Sequence, residues 1–248
     1  MNGHPLLEAR EVTVRFGGLV AVDTVSAAFS TGELVGIIGP NGAGKTTFFN
    51  ALSGVQVPSS GELFARGRRL TGAAAHRYAR HGIARTFQTP RVFADLSVAA
   101  NIDFGLQFAG RGRTASWLLK DEASILNLIG LAPQAALPAA AITPSQQRLL
   151  EIGMALATRP TLLLLDEVAA GLTENEVEAM AQLIRRLRDE LELTVIWIEH
   201  AVTTLLNHVE RVLVLHQGRK IADGTPSEVV RNSEVIEAYL GDEMIESA

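Results

Sequence analysis

The chain has 248 residues, 47% of them hydrophobic, with no cysteine and 22 basic against 27 acidic side chains for a formal net charge of −5. It is long enough to bury a sizeable core and too apolar for disorder. Without thiols it has no disulfide scaffold, thiol nucleophile or thiolate metal site. No apolar run reaches the roughly 18–20 residues that span a bilayer, and MNGHPLLEAREV lacks the pattern of a secretory leader, so the expectation is a chain made and kept inside the cell.

Apolar runs of four to six residues alternate with longer periodic segments, the order of an α/β protein. In chain order, strands are predicted over 11–16, 34–38, 83–87, 162–165, 194–198 and 212–216. Helices are predicted over 45–52, 122–131, 144–158, 174–191 and 233–240. LVGII, LLLL and TVIWI are apolar on successive residues, which suits parallel strands covered on both faces. From about residue 89 to residue 141 the pattern turns helical, broken by GRGRT at 110–114 and by an Ala/Pro-rich stretch at 131–142. This reads as a helical insertion between strands of one core.

Charge is uneven along the chain. Residues 1–161 carry 15 basic and 10 acidic side chains, and residues 162–248 carry 7 and 17. Seven arginines (66, 68, 69, 77, 80, 85 and 91) fall between positions 63 and 94 with no acid among them. The run reads as a solvated face balanced by the acidic half, or as a contact for a partner. It lacks the interleaved aromatics of a single-strand stacking surface, so no nucleic acid is expected.

The strongest motif is Gly39-Pro40-Asn41-Gly42-Ala43-Gly44-Lys45-Thr46-Thr47, which follows a predicted buried strand and opens a predicted helix. Glycines let such a loop wrap a phosphate chain with backbone N–H groups pointing inward; the lysine reaches the β- and γ-phosphates and the hydroxyl ligates Mg²⁺. A second strand, 162–165, ends in Asp166 and Glu167, delivering two carboxylates to the sheet edge where α/β sheets bind ligands. Asp166 suits the Mg²⁺ shell, and Glu167 suits polarisation of an attacking water. A third strand ends at His200, at the same edge and near the γ-phosphate. Gln88, after IARTF, is a candidate for the metal shell. Thr143-Pro144-Ser145-Gln146 is a good helix start, with Thr143 as cap and Gln146 closing a capping box, and by itself needs no ligand.

Taken together, these motifs resemble the nucleotide-binding subunit of an ABC transporter: Walker A at 39–47, Q-loop Gln88, signature region 142–147, Walker B 162–167, D-loop 170–173 and switch His200. RFGGLVAVD, IARTFQ, LEIGMALATRP and VIEAYLG are similar to the branched-chain amino acid importer group. The resemblance implies a P-loop NTPase as one ABC ATPase domain over 1–248. It would have a RecA-like core, an N-terminal antiparallel β-subdomain and a helical subdomain inserted over 89–158.

By resemblance, Phe16 would stack on adenine, Val22 and residues 39–47 would bind ATP, and Glu167 would be the base that activates water. Lys45 and His200 would complete the catalytic set, with Mg²⁺ held by Thr46, Gln88 and Asp166. Thr143, Ser145 and Gln146, with the D-loop residues Ala170 and Gly171, would meet ATP held by a second cassette in a homo- or heterodimer. Two membrane permease subunits and a periplasmic or extracellular solute-binding protein would complete the system, at the cytoplasmic face of the cell membrane.

The signature departs from Leu-Ser-Gly-Gly-Gln in having neither glycine, Val168 stands where Walker B is usually followed by Pro, and Ala170 and Thr173 replace the D-loop Ser and Asp. A nucleotide switch in DNA or ribosome assembly and a lipid or lipopolysaccharide exporter ATPase are the alternatives.

Overall fold

The computed structural model describes residues 4–109, 119–199 and 202–246, with side chains described up to residue 239. GRGRT at 110–114 and His200 lie outside the described residues. Strands β1 (Leu7–Phe16), β2 (Leu19–Phe29), β4 (Ser60–Ala65) and β5 (Arg68–Arg69) form an antiparallel sheet in the order β2-β1-β4-β5. A second sheet runs β10 (Arg219–Gly224), β9 (Arg211–His216), β3 (Leu34–Ile38), β8 (Thr194–Ile198), β7 (Leu162–Asp166), β6 (Ile83–Arg85). It is parallel throughout except for the β9–β10 hairpin at one edge.

Unbroken apolar runs form the central strands because each is buried on both faces, so alternate residues enter different cores. Val35, Ile37, Leu162, Leu164, Ile196 and Ile198 point into a core shared with β1, β2 and α1 (Lys45–Leu52). Leu34, Ile38, Leu163, Leu165, Val195 and Trp197 point into the other. That second core is built with α3 (Val98–Leu106), α4 (Glu122–Leu128), α5 (Pro144–Ala157) and α6 (Glu174–Leu191). The helices between β6 and β7 are therefore packed on one face of the sheet.

Four predicted boundaries shift by two residues or more: β1 starts at Leu7 rather than 11, the last helix runs to residue 246 rather than 240, and two others end early for a local reason. The strand expected over 83–87 stops at Arg85. Thr86 N still bonds Leu164 O, but Phe87 N turns away to a side chain of α5. The helix expected over 122–131 ends at Leu128, because Gly130 takes φ 75° and closes the end as a glycine does after a last turn. Among the described residues the remaining α-helices are α2 (Ala75–Arg80), α7 (Val202–His208), α8 (Pro226–Val229) and α9 (Ser233–Glu246).

Since β3, β6, β7, β8 and β9 are parallel, their C-terminal ends share one edge. The β9–β10 turn reaches across that edge. Gln217 (φ 46°) and Gly218 (φ 79°) give it the mirror-image geometry a tight hairpin favours. Gly218 N donates to Ala43 O and its carbonyl accepts from Asp23 N, joining the loop after β3 to the antiparallel sheet.

Candidate functional site

A cleft of about 680 Å³ opens at this edge, lined by Asn41, Gly42, Ala43, Gly44, Lys45, Thr46 and Thr47 along its floor. Phe16, Leu19, Val20 and Ala21 form one side, Gln217 and Gly218 another, and Gln88 and Glu167 the far end. Phe16 is half exposed at the mouth. Val22, expected among the ligand contacts, is corrected: it is wholly buried opposite Val14 in the β1–β2 ladder, and Val20 and Ala21 face the cleft from that strand.

The loop's shape demands its glycines. Gly44 has φ 95°, and a Cβ there would sit 2.3 Å from Ala21 O; at Gly39 a Cβ would sit 2.1 Å from Leu215 O. Both obstacles are backbone and cannot swing aside. Gly44 also ends in the N-cap position of α1 without a side-chain cap, so the first-turn N–H groups face the loop, the geometry that holds an anion. Lys45 is buried, and its Nζ donates to Gly39 O at 2.6 Å and Pro40 O at 2.9 Å. Burial pulls its ammonium below the usual lysine value, with the Glu167 carboxylate pulling the other way.

Gln88 Nε2 donates to Glu167 Oε2 at 2.7 Å. Glu167 itself has φ 51°, a conformation that costs an L-residue about 1–2 kcal/mol, and its backbone is pinned on both sides. Its N–H donates to Ile198 O at 3.0 Å, and its carbonyl accepts from Arg148 Nη1 at 2.8 Å.

Asp166, also buried, pairs with Arg85 (Nη2 to Oδ2, 3.0 Å), and its N–H donates to Thr86 Oγ1. Arg85 donates further to Asn50 Oδ1 and Ser53 Oγ at the end of α1, and its guanidinium lies over the Phe87 ring. Burial lowers the Arg85 value and Asp166 opposes that shift. Read from sequence, Arg85 was one of a basic run; in the fold it ties the helix after the phosphate loop to the acidic strand end.

The signature region caps α5. Thr143 Oγ1 accepts from Gln146 N at 3.2 Å, Gln146 Oε1 accepts from Thr143 N at 3.0 Å, and Pro144 fills the first helical position. Thr173 does the same for α6 with Glu176, which gives a local reason for threonine there. Ala170 and Gly171 lie in the turn between Walker B and α6, with Ala170 N donating to Glu167 O and Gly171 at φ 75°.

Sequence reasoning missed Glu199. It is 2% exposed, and its Oε1 accepts from Ala169 N at 2.7 Å and Trp197 Nε1 at 3.0 Å, which braces the turn after Glu167 against β8. Burial raises its value. The available signal was an acid closing the apolar run TVIWI.

A glycine-rich loop between a buried parallel strand and a helix, sharing a cleft with the Glu167 carboxylate at the end of another strand of the sheet, defines a phosphate-loop nucleotide-binding protein. A family model described as ABC transporter matches residues 22–170, and one described as branched-chain amino acid ATP-binding cassette transporter matches residues 219–244. The chain is 39% identical to the high-affinity branched-chain amino acid transport ATP-binding protein LivG of Salmonella typhimurium, over 96% of this chain and 98% of that protein. It is 37% identical to BraF of Pseudomonas aeruginosa, an ATP-binding protein of the same printed description, with the same coverage. The crystal structure of the ADP conformation of an ATP-binding cassette of an ABC transporter superposes with a TM-score of 0.83 at 28% identity, covering 95% of this chain and 98% of that one. The chain belongs to the ABC transporter family and is an ATPase of that family.

Proposed function

We propose that this chain is the ATP-hydrolysing subunit of an importer for branched-chain amino acids or related small solutes. The observation that carries the catalytic part is the meeting of Gln88 and Glu167 at the end of the cleft floored by the phosphate loop. In this reading the backbone N–H groups of 41–47 and Lys45 bind the phosphates of ATP, and Phe16 offers its exposed ring to adenine. Lys45 has three N–H donors, two of them given to loop carbonyls, and turns the remaining one to the γ-phosphate. Glu167 accepts the proton of the attacking water, held in place by Gln88 and by its pinned backbone.

The oxygen donors Thr46, Gln88 and Asp166 suit Mg²⁺, which takes one or two protein ligands and completes its shell with phosphate oxygens and water. The ion would neutralise charge on the phosphates. Its residues here would be Thr46 and Asp166, with Arg85 orienting the Asp166 carboxylate.

The assembly in this reading is a homo- or heterodimer of cassettes, each signature region (Thr143, Ser145, Gln146) and D-loop (Ala170, Gly171) completing the partner's site. It would sit at the cytoplasmic face of the cell membrane under two permease subunits, fed by a solute-binding protein. Among the described residues no helix is long and apolar enough to cross a membrane, so those subunits would have to supply the spans. Residues 89–158 would be the subdomain they push against. His200 would face the γ-phosphate.

Reconstitution in proteoliposomes with the membrane subunits and binding protein tests this. ATP-dependent uptake of labelled leucine, isoleucine or valine is expected. ATPase activity stimulated by lipid or lipopolysaccharide without solute uptake would replace this reading with an exporter.

A further inference from the structure

Glu151 is the only acid of α5, the helix that starts at the signature region. It is 6% exposed, flanked by the fully buried Leu150 and Ile152, and nothing in the hydrolytic reading uses it. A buried carboxylate needs donors, and this one finds them in a single stretch of backbone. Oε2 accepts from Phe87 N at 3.3 Å and Oε1 from Arg91 N at 2.9 Å. The two amides bracket Gln88, and the Arg91 guanidinium lies 3.8 Å from the centre of the Phe87 ring, closing the segment on itself.

Arg148 stands three residues earlier on α5, hence on the same helix face, and holds the Glu167 carbonyl. Gln88 holds the Glu167 carboxylate. The links close a ring: α5 through Glu151 to segment 87–91, through Gln88 to Glu167, and through Arg148 back to α5. Each link in the ring is a hydrogen bond that movement of α5 or of the segment would strain.

Phe87, Arg91, Glu151 and Met154 also line a second cleft, of about 760 Å³, with Arg85 and Phe108.

We propose that Glu151 is a positioning residue that clamps the Gln88 segment to the signature helix and so holds Glu167 in its working place. This rests on the transporter reading above, in which Glu167 is the base of an ATPase that membrane subunits stimulate. The inference makes no contact between Glu151 and nucleotide, and its effect falls on turnover.

Glu151→Gln is the test, because the amide keeps the shape and one acceptor but turns a donor toward the second N–H. In the complex assembled with its membrane subunits, kcat for ATP is expected to fall at least tenfold while KM for ATP stays within twofold. Wild-type kcat in the variant overturns the proposal, and so does a KM rise that accounts for the whole loss. Hydrogen exchange on the full chain is the second measurement. The Phe87 and Arg91 amides are expected to be slow in the wild type and faster than neighbouring amides in Glu151→Gln; rapid exchange of both in the wild type overturns the clamp. Protected amides in a wild-type chain that the membrane subunits do not stimulate would overturn the transporter reading and leave the clamp standing.

Discussion

Gln88 Nε2 and Glu167 Oε2 lie 2.7 Å apart, joining residues 79 positions distant in sequence at the ends of the adjacent strands β6 and β7. The pairing orients the carboxylate that the proposed reaction uses as its base. Glu167→Gln leaves size and packing intact but removes the basic oxygen. Nucleotide binding is expected to persist while kcat falls by about 10²–10⁴, the range of a lost general base. Phosphate release and the size of the ATP-bound species on a sizing column measure both. Turnover near the wild-type rate would remove Glu167 from that role.

How much of this was legible follows from what each residue answers to. The phosphate loop was readable because its backbone admits glycine at positions 39 and 44 whatever the rest of the chain does. The buried strands were readable because both faces are apolar. β2 was not: LVAVDTVSAAF mixes polar residues with its apolar ones, and its ladder with β1 is broken by register shifts. Glu151 and Arg85 were not either. A glutamate in LLEIGMAL and an arginine in a basic run declare their roles only when the chain brings Phe87 N and Asp166 to them.

The two glycines of the loop separate strain from collision. Gly42→Ala meets open space at φ 76°, so it costs about 1–2 kcal/mol of backbone strain in urea unfolding. Gly44→Ala adds a collision with Ala21 O to similar strain and is expected to cost more. Equal losses would show that the loop relaxes away from β2.

Removing Arg85 takes from the buried Asp166 the guanidinium that pairs with its Oδ2. Arg85→Ala is expected to cost about 3–5 kcal/mol without nucleotide, the range for one half of a buried pair. Adding Asp166→Asn is expected to recover part of that loss. Strict additivity of the two changes in a double-mutant cycle would mean the pair is not coupled.

Glu151 also sets a pH dependence of stability. Burial pushes its value up to about 7 against the pull of the Arg91 and Phe87 N–H groups and the charges of Arg91 and Arg148. The folded value is raised, so the contribution is fully present below the unfolded value near 4.5 and is lost as pH rises through 7. The full loss is on the order of 3 kcal/mol. Glu199 is shifted in the same direction and is common to wild type and variant, so the difference between their slopes isolates Glu151. Glu151→Gln should gain on the wild type from pH 5 to about 7 in urea unfolding, and the difference should level off above that. Parallel slopes would contradict the buried, ionising carboxylate.

Pro144 supplies no N–H at the start of α5, and the Gln146 side chain is engaged with Thr143, so this signature region offers a partner's γ-phosphate fewer donors than one with two glycines. The expectation is a weaker composite site wherever this chain contributes the signature. A homodimer then carries two such sites, and a pair with a sister cassette of intact signature carries one. Per dimer, steady-state ATP hydrolysis should be faster in the mixed pair. Pro144→Gly, which restores a backbone donor at the cost of a pre-set φ, should raise homodimer turnover severalfold. Equal rates in homodimer and mixed pair, with no gain from Pro144→Gly, would show that Ser145 and the helix N-terminus suffice for the γ-phosphate.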